Sequence, residues 1–138
     1  IIIMQILGIG VDIVEKNRIK KSLTNKLFIK RIFTNSEILL AKNKKNKISF
    51  YSNRFAAKEA FSKSIGTGFR ENLNFSDLSI KNDKLGKPIF IITDKIKKLI
   101  KKKFKITKFD FLLSISDEKK YSIAYVIFQK KWKLIKIL

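Results

Sequence analysis

Apolar residues alternate with small or polar ones along residues 5–13, QILGIGVDI, near the start of the chain. A period of two is typical of a β-strand with one buried face. Gly8, Gly10 and Asp12 share one side of this strand. Because glycines lack side chains, we expect this side to be closely covered by another element or open to a ligand. The residues that we expect to face the core are Leu7, Ile9, Val11 and Ile13.

Spacings of three and four between apolar residues predict several helices. Residues 15–33 carry a candidate apolar stripe, and Thr34 with its neighbours forms a capping cluster before a short helix that has Glu37 in its first turn. The longest predicted helix covers residues 47–65 and ends at Gly66. A basic helix is expected from Asp94 to about residue 103. The stripe in residues 15–33 consists of Ile19, Leu23, Leu27 and Phe28.

Four further strands are expected near residues 75–82, 89–93, 110–116 and 121–129, the last two separated by a hairpin-length connection. We therefore predict an α+β fold: one domain over residues 1–138, with a largely antiparallel sheet packed with one long helix and shorter helices. The chain length suits one domain. The basic, amphipathic tail 130–138 is expected to be disordered or to cover a surface.

The composition limits the chemistry, because the chain has no cysteine and no histidine. Acid–base or metal chemistry must therefore use carboxylates, lysines, hydroxyls or water. The apolar opening is interrupted by Gln5 and Asp12 and lacks a basic leader, and no apolar run approaches eighteen residues. We expect a soluble cytoplasmic protein without stable membrane insertion.

The net charge of +21 indicates an acidic or phosphorylated partner. Of the 32 basic residues 28 are lysine, and isoleucine, asparagine and phenylalanine are also abundant. Because these residues have A/T-rich codons, mutational bias is a sufficient explanation for much of the lysine. Base recognition favours arginine, so we do not expect nucleic acid as the main ligand.

The long helix contains Glu59 and Lys63, four residues apart on one face. A surface ion pair is the ordinary interpretation of this spacing. The alternative is a phosphate site, because three alanines make the helix thin and a GTG segment at residues 66–68 follows it directly. Together with Asp12, Glu59 offers the two carboxylates that commonly hold Mg²⁺ beside substrate phosphates. The spacing alone leaves both interpretations open.

Five segments resemble, in the same order, the small bacterial 4′-phosphopantetheinyl transferases of the holo-[acyl-carrier-protein] synthase type. The resemblance covers about residues 5–129. The segments are GIGVDIVEKNRI (8–19), FTNSE (33–37), NRFAAKEAFSKSIGTGF (53–69), NDKLGKP (82–88) and LLSISDEKKYSIAYVI (112–127).

The resemblance implies transfer of 4′-phosphopantetheine from coenzyme A to a serine of apo acyl carrier protein, in fatty acid biosynthesis, with release of adenosine 3′,5′-bisphosphate. It implies Mg²⁺ held by Asp12 and Glu59, with Glu59 or a water that it orients as the base. Gly8 and Gly10 are then better interpreted as clearance around that site, with close helix packing as the alternative. Lys63 would contact phosphate near the bond that breaks, and Lys58 would be a second cation.

The resemblance also implies a homotrimer with sites at the subunit interfaces. Arg18, Lys26 and Arg31 would face the acidic carrier protein. Asp117 stands where many family members have a histidine that contacts coenzyme A. The residues that the resemblance assigns to coenzyme A binding are Arg54, Lys63, Gly66, Thr67, Gly68, Gly86, Lys87, Pro88 and Ser116.

A second hypothesis comes from a different class of protein. The chain would be a basic module that binds RNA or an anionic membrane without catalysis, using its lysines and the tail. Its binding would depend strongly on salt but not on Mg²⁺.

Overall fold

The structure is a computed structural model that describes residues 2–66 and 73–133. Its elements are, in chain order, β1 Ile2–Glu15, α1 Lys16–Ser22, α2 Lys26–Ile32, α3 Asn35–Ala41, α4 Lys47–Ile65, a 3₁₀ turn Phe75–Asp77, β2 Ser79–Asn82, β3 Pro88–Ile91, α5 Asp94–Phe104, β4 Phe109–Asp117 and β5 Tyr121–Lys133. Thr67 and Gly68 lie outside the described residues.

Two antiparallel sheets are formed by the described strands. One has three strands in the order β1-β5-β4, and the other pairs β2 with β3. The long helix α4 lies against β1, β5 and β4, so that the core sits between this helix and one face of the larger sheet. The predicted α+β class with a mainly antiparallel sheet is confirmed.

Gly8 and Gly10 allow β1 and α4 to approach closely. A Cβ atom at Gly8 would lie 1.9 Å from the carbonyl oxygen of Ser64, and one at Gly10 would lie 1.9 Å from the carbonyl oxygen of Ala60. Real Cβ atoms essentially never come this close, so only glycine fits at both positions. Close cover by another element is therefore correct for these two residues, and the favoured interpretation of them as clearance around a metal site was wrong.

The opposite face of β1 is exposed, and the prediction that it packs in the core was wrong. Ile9, Val11 and Ile13 are 58%, 54% and 61% exposed. Their cross-strand partners Ile123 and Tyr125 on β5 are also exposed. Alternation shows that a strand has two unlike faces, but the position of α4 decides which of them is buried. Leu7 is partly buried, next to a register shift between Ile6 and Gly8.

The stripe expected along residues 15–33 is divided between two short helices. Asn25 ends the first segment and begins α2, because its side chain accepts a hydrogen bond from the amide of Leu27. The break turns Leu27 outward, where it is 75% exposed, while Ile19 of α1 is buried. A single continuous stripe was thus the wrong prediction for this region.

The predicted bounds of α4 are confirmed, and the helix ends at Gly66 in a left-handed conformation with φ of 77°. Thr34 and Glu37 form a reciprocal capping box at the start of α3. Only residues 79–82 of the stretch 75–82 form a strand, because a 3₁₀ turn precedes them. Residues 130–133 of the expected tail continue β5 and pair with β1, and residues 134–138 lie outside the described part.

Candidate active site

Asp12 and Glu59 meet where β1 crosses α4. Asp12 follows the two glycines on the side of β1 that faces the helix, and Glu59 and Lys63 lie one helical turn apart. The Lys63 ammonium donates to Asp12 Oδ1 over 3.1 Å and to the carbonyl oxygen of Val11 over 3.0 Å. The close strand–helix contact therefore brings together the three side chains that the sequence analysis placed at the phosphate site.

Both carboxylates are partly buried, and burial raises their pKa values above the ordinary range. The negative charge of Asp12 raises the pKa of Glu59 further, whereas Lys63 lowers the pKa of each carboxylate. The shift stays upward at both residues, so one lysine does not fully compensate this pair. Asp12 and Glu59 are thus two partly buried carboxylates that lie close enough for the charge of Asp12 to raise the pKa of Glu59.

The donor set fits Mg²⁺. Two carboxylates whose charges repel each other are stabilised by a divalent cation, and Mg²⁺ is usually bound by one or two carboxylates with water and substrate phosphates completing its shell. Within residues 2–66 and 73–133, no group of three or more acidic, histidine or cysteine side chains could hold a metal. A site with only two protein ligands would thus bind Mg²⁺ together with its substrate.

A pocket of about 480 Å³ opens beside the two carboxylates, between β1, α1, α2 and α4. Arg18, which is exposed on α1, lines its polar part together with Asp12 and Glu59. Ile19, Phe28 and Phe55 form an apolar part. Glu15 also lines the pocket, so a substrate there would meet three carboxylates, a guanidinium and an apolar surface.

Four of the residues that the resemblance assigns to coenzyme A binding form a separate group. Arg54 is buried on α4 and donates to Asn82 Oδ1 over 3.2 Å, and the Asn82 amide donates to the carbonyl oxygen of Gly86 over 2.8 Å. Asp83 closes this turn by accepting from the backbone amide of Lys87 over 2.9 Å. Arg54 thus supports the turn that contains Gly86, Lys87 and Pro88.

This second group does not meet the carboxylates within one chain. Arg54 and Glu59 are five positions apart, which places them about 140° apart around the helix axis. Ser116 is exposed on β4, and Lys26 and Arg31 are exposed on α2, so all three lie outside the pocket lining. Gly66 ends α4 three residues after Lys63.

Comparison with known proteins decides the family. A model of the 4′-phosphopantetheinyl transferase superfamily matches residues 8–126. The chain is 74% identical over 128 residues to a holo-[acyl-carrier-protein] synthase of Pelagibacter ubique (strain HTCC1062), covering 93% of this chain and all of that protein. The chain belongs to the 4′-phosphopantetheinyl transferase superfamily.

Solved structures agree with this assignment. The transferase matches the crystal structure of a holo-[acyl-carrier-protein] synthase from Neisseria meningitidis with a TM-score of 0.81 at 36% identity, over 90% of this chain and 98% of that one. It matches a holo-(acyl-carrier-protein) synthase from Bacillus anthracis str. Ames, solved in complex with CoA (3′,5′-ADP), with a TM-score of 0.76 at 39% identity. The latter match covers 93% of this chain and 99% of that one.

Lys58 of the transferase lies away from the pocket, and the prediction that it is a second phosphate-binding cation was wrong. Its ammonium is fully buried and donates to Glu37 Oε1 over 2.6 Å and to the carbonyl oxygens of Ile32 and Phe75 over 2.7 and 3.1 Å. Burial lowers its pKa, which the negative charge of Glu37 opposes. Lys58 points to the interior because it follows Arg54 by one turn on the buried side of α4.

The sequence placed Glu37 only in the first turn of a short helix. In the structure it is fully buried, and it also accepts from the backbone amide of Ile80 over 3.2 Å. Its Oε2 lies 3.7 Å from Arg54 Nε. Glu37 thus connects α3, α4 and β2, beneath the turn that Arg54 supports. The sequence does not indicate that Glu37 connects these elements, because no local pattern shows which distant cations a carboxylate will contact.

Proposed function

We propose that this chain is a holo-[acyl-carrier-protein] synthase, which transfers 4′-phosphopantetheine from coenzyme A to a serine of apo acyl carrier protein. The observation that carries the proposal is the convergence of Asp12, Glu59 and Lys63 beside one pocket, in a chain that belongs to this superfamily. The Bacillus anthracis relative was solved with CoA (3′,5′-ADP), which supports coenzyme A as the donor.

We assign Mg²⁺ binding to Asp12 and Glu59. When bound there, the metal supplies positive charge to the pyrophosphate oxygens and so stabilises the charge that develops on the leaving group. The half-exposed ammonium of Lys63 would then turn from Asp12 to a phosphate oxygen of the substrate. The phosphate is the stronger hydrogen-bond partner once the Asp12 carboxylate binds the metal. Coenzyme A carries phosphate groups whose negative charge matches the positive charges of the bound metal and of Lys63.

Glu59 is the proposed base, either directly or through a water that it orients. Its carboxylate lines the pocket, where it can accept a proton from a hydroxyl group that docks there. The serine oxygen of the carrier forms a bond to the phosphorus next to pantetheine as its proton leaves. The bond from that phosphorus to the bridging oxygen breaks, and adenosine 3′,5′-bisphosphate departs with the electron pair.

Arg18 and the exposed basic residues Lys26 and Arg31 are the proposed docking surface for the carrier protein. Arg18 lies at the rim of the pocket, where an acidic partner would present its serine to Glu59. The other two residues follow on α2 and would attract the same partner over a longer range. The apolar part of the pocket offers a contact that charge alone does not supply.

We propose that the protein acts as a homotrimer with sites between its subunits. Arg54 and the turn at Gly86 of one subunit would bind the adenosine 3′-phosphate of a coenzyme A molecule whose pyrophosphate lies at Asp12 and Glu59 of a neighbouring subunit. Two subunits would be needed because Arg54 and the carboxylates lie on different sides of α4. The exposed apolar face of β1 and β5 supports such an assembly, since Ile9, Val11 and Ile13 leave a monomer with a large apolar surface in water.

A role in fatty acid biosynthesis and a cytoplasmic location remain predictions. Within the described residues, no helix is long and apolar enough to cross a membrane. The hypothesis of a basic module without catalysis assigns no role to the paired acids, which stand at the motif positions of a transferase family.

Mass spectrometry tests the proposal directly. Incubation with coenzyme A, Mg²⁺ and apo acyl carrier protein should increase the carrier mass by one phosphopantetheine, and chelation of the metal should prevent the increase. Asp12→Ala should abolish it, whereas Asp110→Ala, a surface carboxylate paired with Lys131, is the matched control. A folded wild-type protein that never modifies a carrier would refute the proposal. Salt-sensitive RNA or vesicle binding without turnover would favour the alternative.

A further inference from the structure

A polar network joins the start of α1 to the end of β4. The Lys16 ammonium forms an ion pair with Asp117 Oδ1 and donates to the hydroxyl of Ser49 over 2.8 Å. The side-chain amide of Asn53 donates to the other oxygen of Asp117 over 3.1 Å. Both carboxylate oxygens of Asp117 therefore have partners within this chain.

The network continues into the interior. The hydroxyl of Ser122, which is fully buried at the start of β5, donates to Asn53 Oδ1 over 2.5 Å. Asn53 is thus held on both sides, and it presents a fixed amide to Asp117. The orientation of Asp117 therefore depends on α4 and β5, the elements that also pack around the catalytic carboxylates.

The short helix α1 is held at its first turn by the buried side chain of Ile19 and by the contacts of Lys16. It has seven residues, its N-cap residue Glu15 makes no capping hydrogen bond among the described residues, and no acid occupies its first turn. Isolated helices of this length are unstable, so tertiary contacts must hold it. Lys16 supplies two such tertiary contacts. Its backbone amide donates to the carbonyl oxygen of Lys120 over 2.8 Å, and its side-chain ammonium forms the ion pair with Asp117.

The position of α1 matters because it forms a wall of the active-site pocket. Arg18 and Ile19 lie two and three residues after Lys16, and both line the pocket together with Glu59. A shift at Lys16 would move both residues relative to the carboxylates. Lys16 itself lies outside the lining, and its side chain is only 11% exposed, so it acts on the pocket through the helix.

We propose that Lys16 and Asp117, with Asn53 behind them, are positioning residues that hold α1 in place for the carrier protein. The inference rests on the proposed function, because it assumes that the carrier docks on Arg18. It predicts a selective effect. Loss of the ion pair should impair recognition of the carrier more than recognition of coenzyme A or the chemical step.

The first test is steady-state kinetics of Lys16→Met, which keeps the length of the side chain and removes its charge. We expect KM for apo carrier protein to increase about tenfold, with kcat and KM for coenzyme A within about twofold of wild type. Lys16→Arg should restore most of the affinity because it retains the cation. Lys131→Met is the matched control, since it breaks a lysine–aspartate pair on the same sheet that is more exposed.

Asp117→Asn completes a double-mutant cycle. If the two residues act as a pair, the double variant should be no more impaired than the worse single variant. Equal increases in both KM values, a loss confined to kcat, or additive effects would each overturn the proposal.

Hydrogen exchange separates this inference from the function itself. Amides 18–22 should exchange about tenfold faster in Lys16→Met than in wild type, and Lys131→Met should leave them unchanged. Unchanged exchange in Lys16→Met would overturn the positioning role even in an active enzyme. A wild-type protein without transferase activity would instead refute the proposed function, while the exchange result would still report on α1.

Discussion

Substitution of Gly10 by alanine should disrupt the fold and the active site together, because the same strand–helix contact supports both. The new Cβ atom would lie 1.9 Å from the carbonyl oxygen of Ala60, 2.8 Å from the amide nitrogen of Ser64 and 2.9 Å from the carbonyl carbon of Ala60. These are backbone atoms in the C-terminal part of α4, so no side chain can rotate away to relieve the clash.

The geometry sets the size of the effect. The shortest contact, between the new Cβ atom and the carbonyl oxygen of Ala60, must lengthen by about 1.1 Å to reach 3.0 Å, the shortest distance that real Cβ atoms normally show. The strand and the helix must separate by about this amount. Overpacking of a core costs about 1–3 kcal/mol and occasionally more, and a clash with backbone belongs at the upper end. For a domain of this size, about 3 kcal/mol corresponds to a decrease of about 10 °C in Tm.

The displacement should also impair catalysis, because Asp12 lies on the strand and Glu59 on the helix. A misplacement of about 1 Å costs about 100-fold in rate when groups must be aligned. We expect turnover of Gly10→Ala, measured by mass spectrometry at a temperature where the variant is folded, to decrease by about this factor. Saturating Mg²⁺ should restore only part of it.

Gly86→Ala is the matched control for stability. No described atom lies within 4 Å of the new Cβ position, so its cost is the backbone strain of alanine at a φ of 84°. That strain amounts to about 1–2 kcal/mol. If Gly10→Ala melts within about 2 °C of wild type and turns over within twofold of it, the contact between β1 and α4 does not have the role that we assign to it.

Three further predictions concern charge and assembly. Asp12→Asn should abolish Mg²⁺-dependent transfer. In metal-free buffer at neutral pH the same variant should have a higher Tm than wild type. Burial raises the pKa of Asp12 in the folded state, and such a carboxylate destabilises the fold once the pH exceeds that pKa. The gain should vanish as acid protonates the wild-type group, and a lower Tm at neutral pH would contradict the burial argument. Lys58→Met should reduce the free energy of unfolding, measured in urea, by about 3–5 kcal/mol, because it leaves the Glu37 carboxylate buried without its closest cation. A change below about 1 kcal/mol would show that other groups compensate the charge of Glu37. Val11→Asp should convert the assembly to a folded monomer in light scattering, and an intact trimer would show that the open face of β1 is not its interface.

Several parts of the fold were accessible from local sequence signals. The bounds of α4, its end at Gly66 and the capping cluster at Thr34 before a helix with Glu37 in its first turn depend on residues within a few positions of each other, and all of them were predicted correctly. Antiparallel pairing of β4 with β5 was also predicted, because the connection between them is too short for a crossover.

The candidate site was accessible only in part. The motif positions identified Asp12, Glu59 and Lys63, and the structure brings these three together. Lys58, in the same motif, was assigned to phosphate because its sequence neighbours are functional, although it points the other way. Neither Lys16 nor Asn53 carried a signal, since their roles depend on Asp117, which is 64 or more positions away along the chain.

The sequence by itself determined the helices, the strands, the two acids and the charge of this protein, because these properties depend on residue identity and on neighbours along the chain. Only the tertiary structure decided which face of β1 is buried. The glycine face packs against α4 and the isoleucine face remains open, since two backbones can approach only where side chains are missing. The same packing decided that Glu59 faces Asp12 whereas Lys58 faces Glu37. Adjacent residues on a helix point about 100° apart, and the surrounding elements determine what each of them meets.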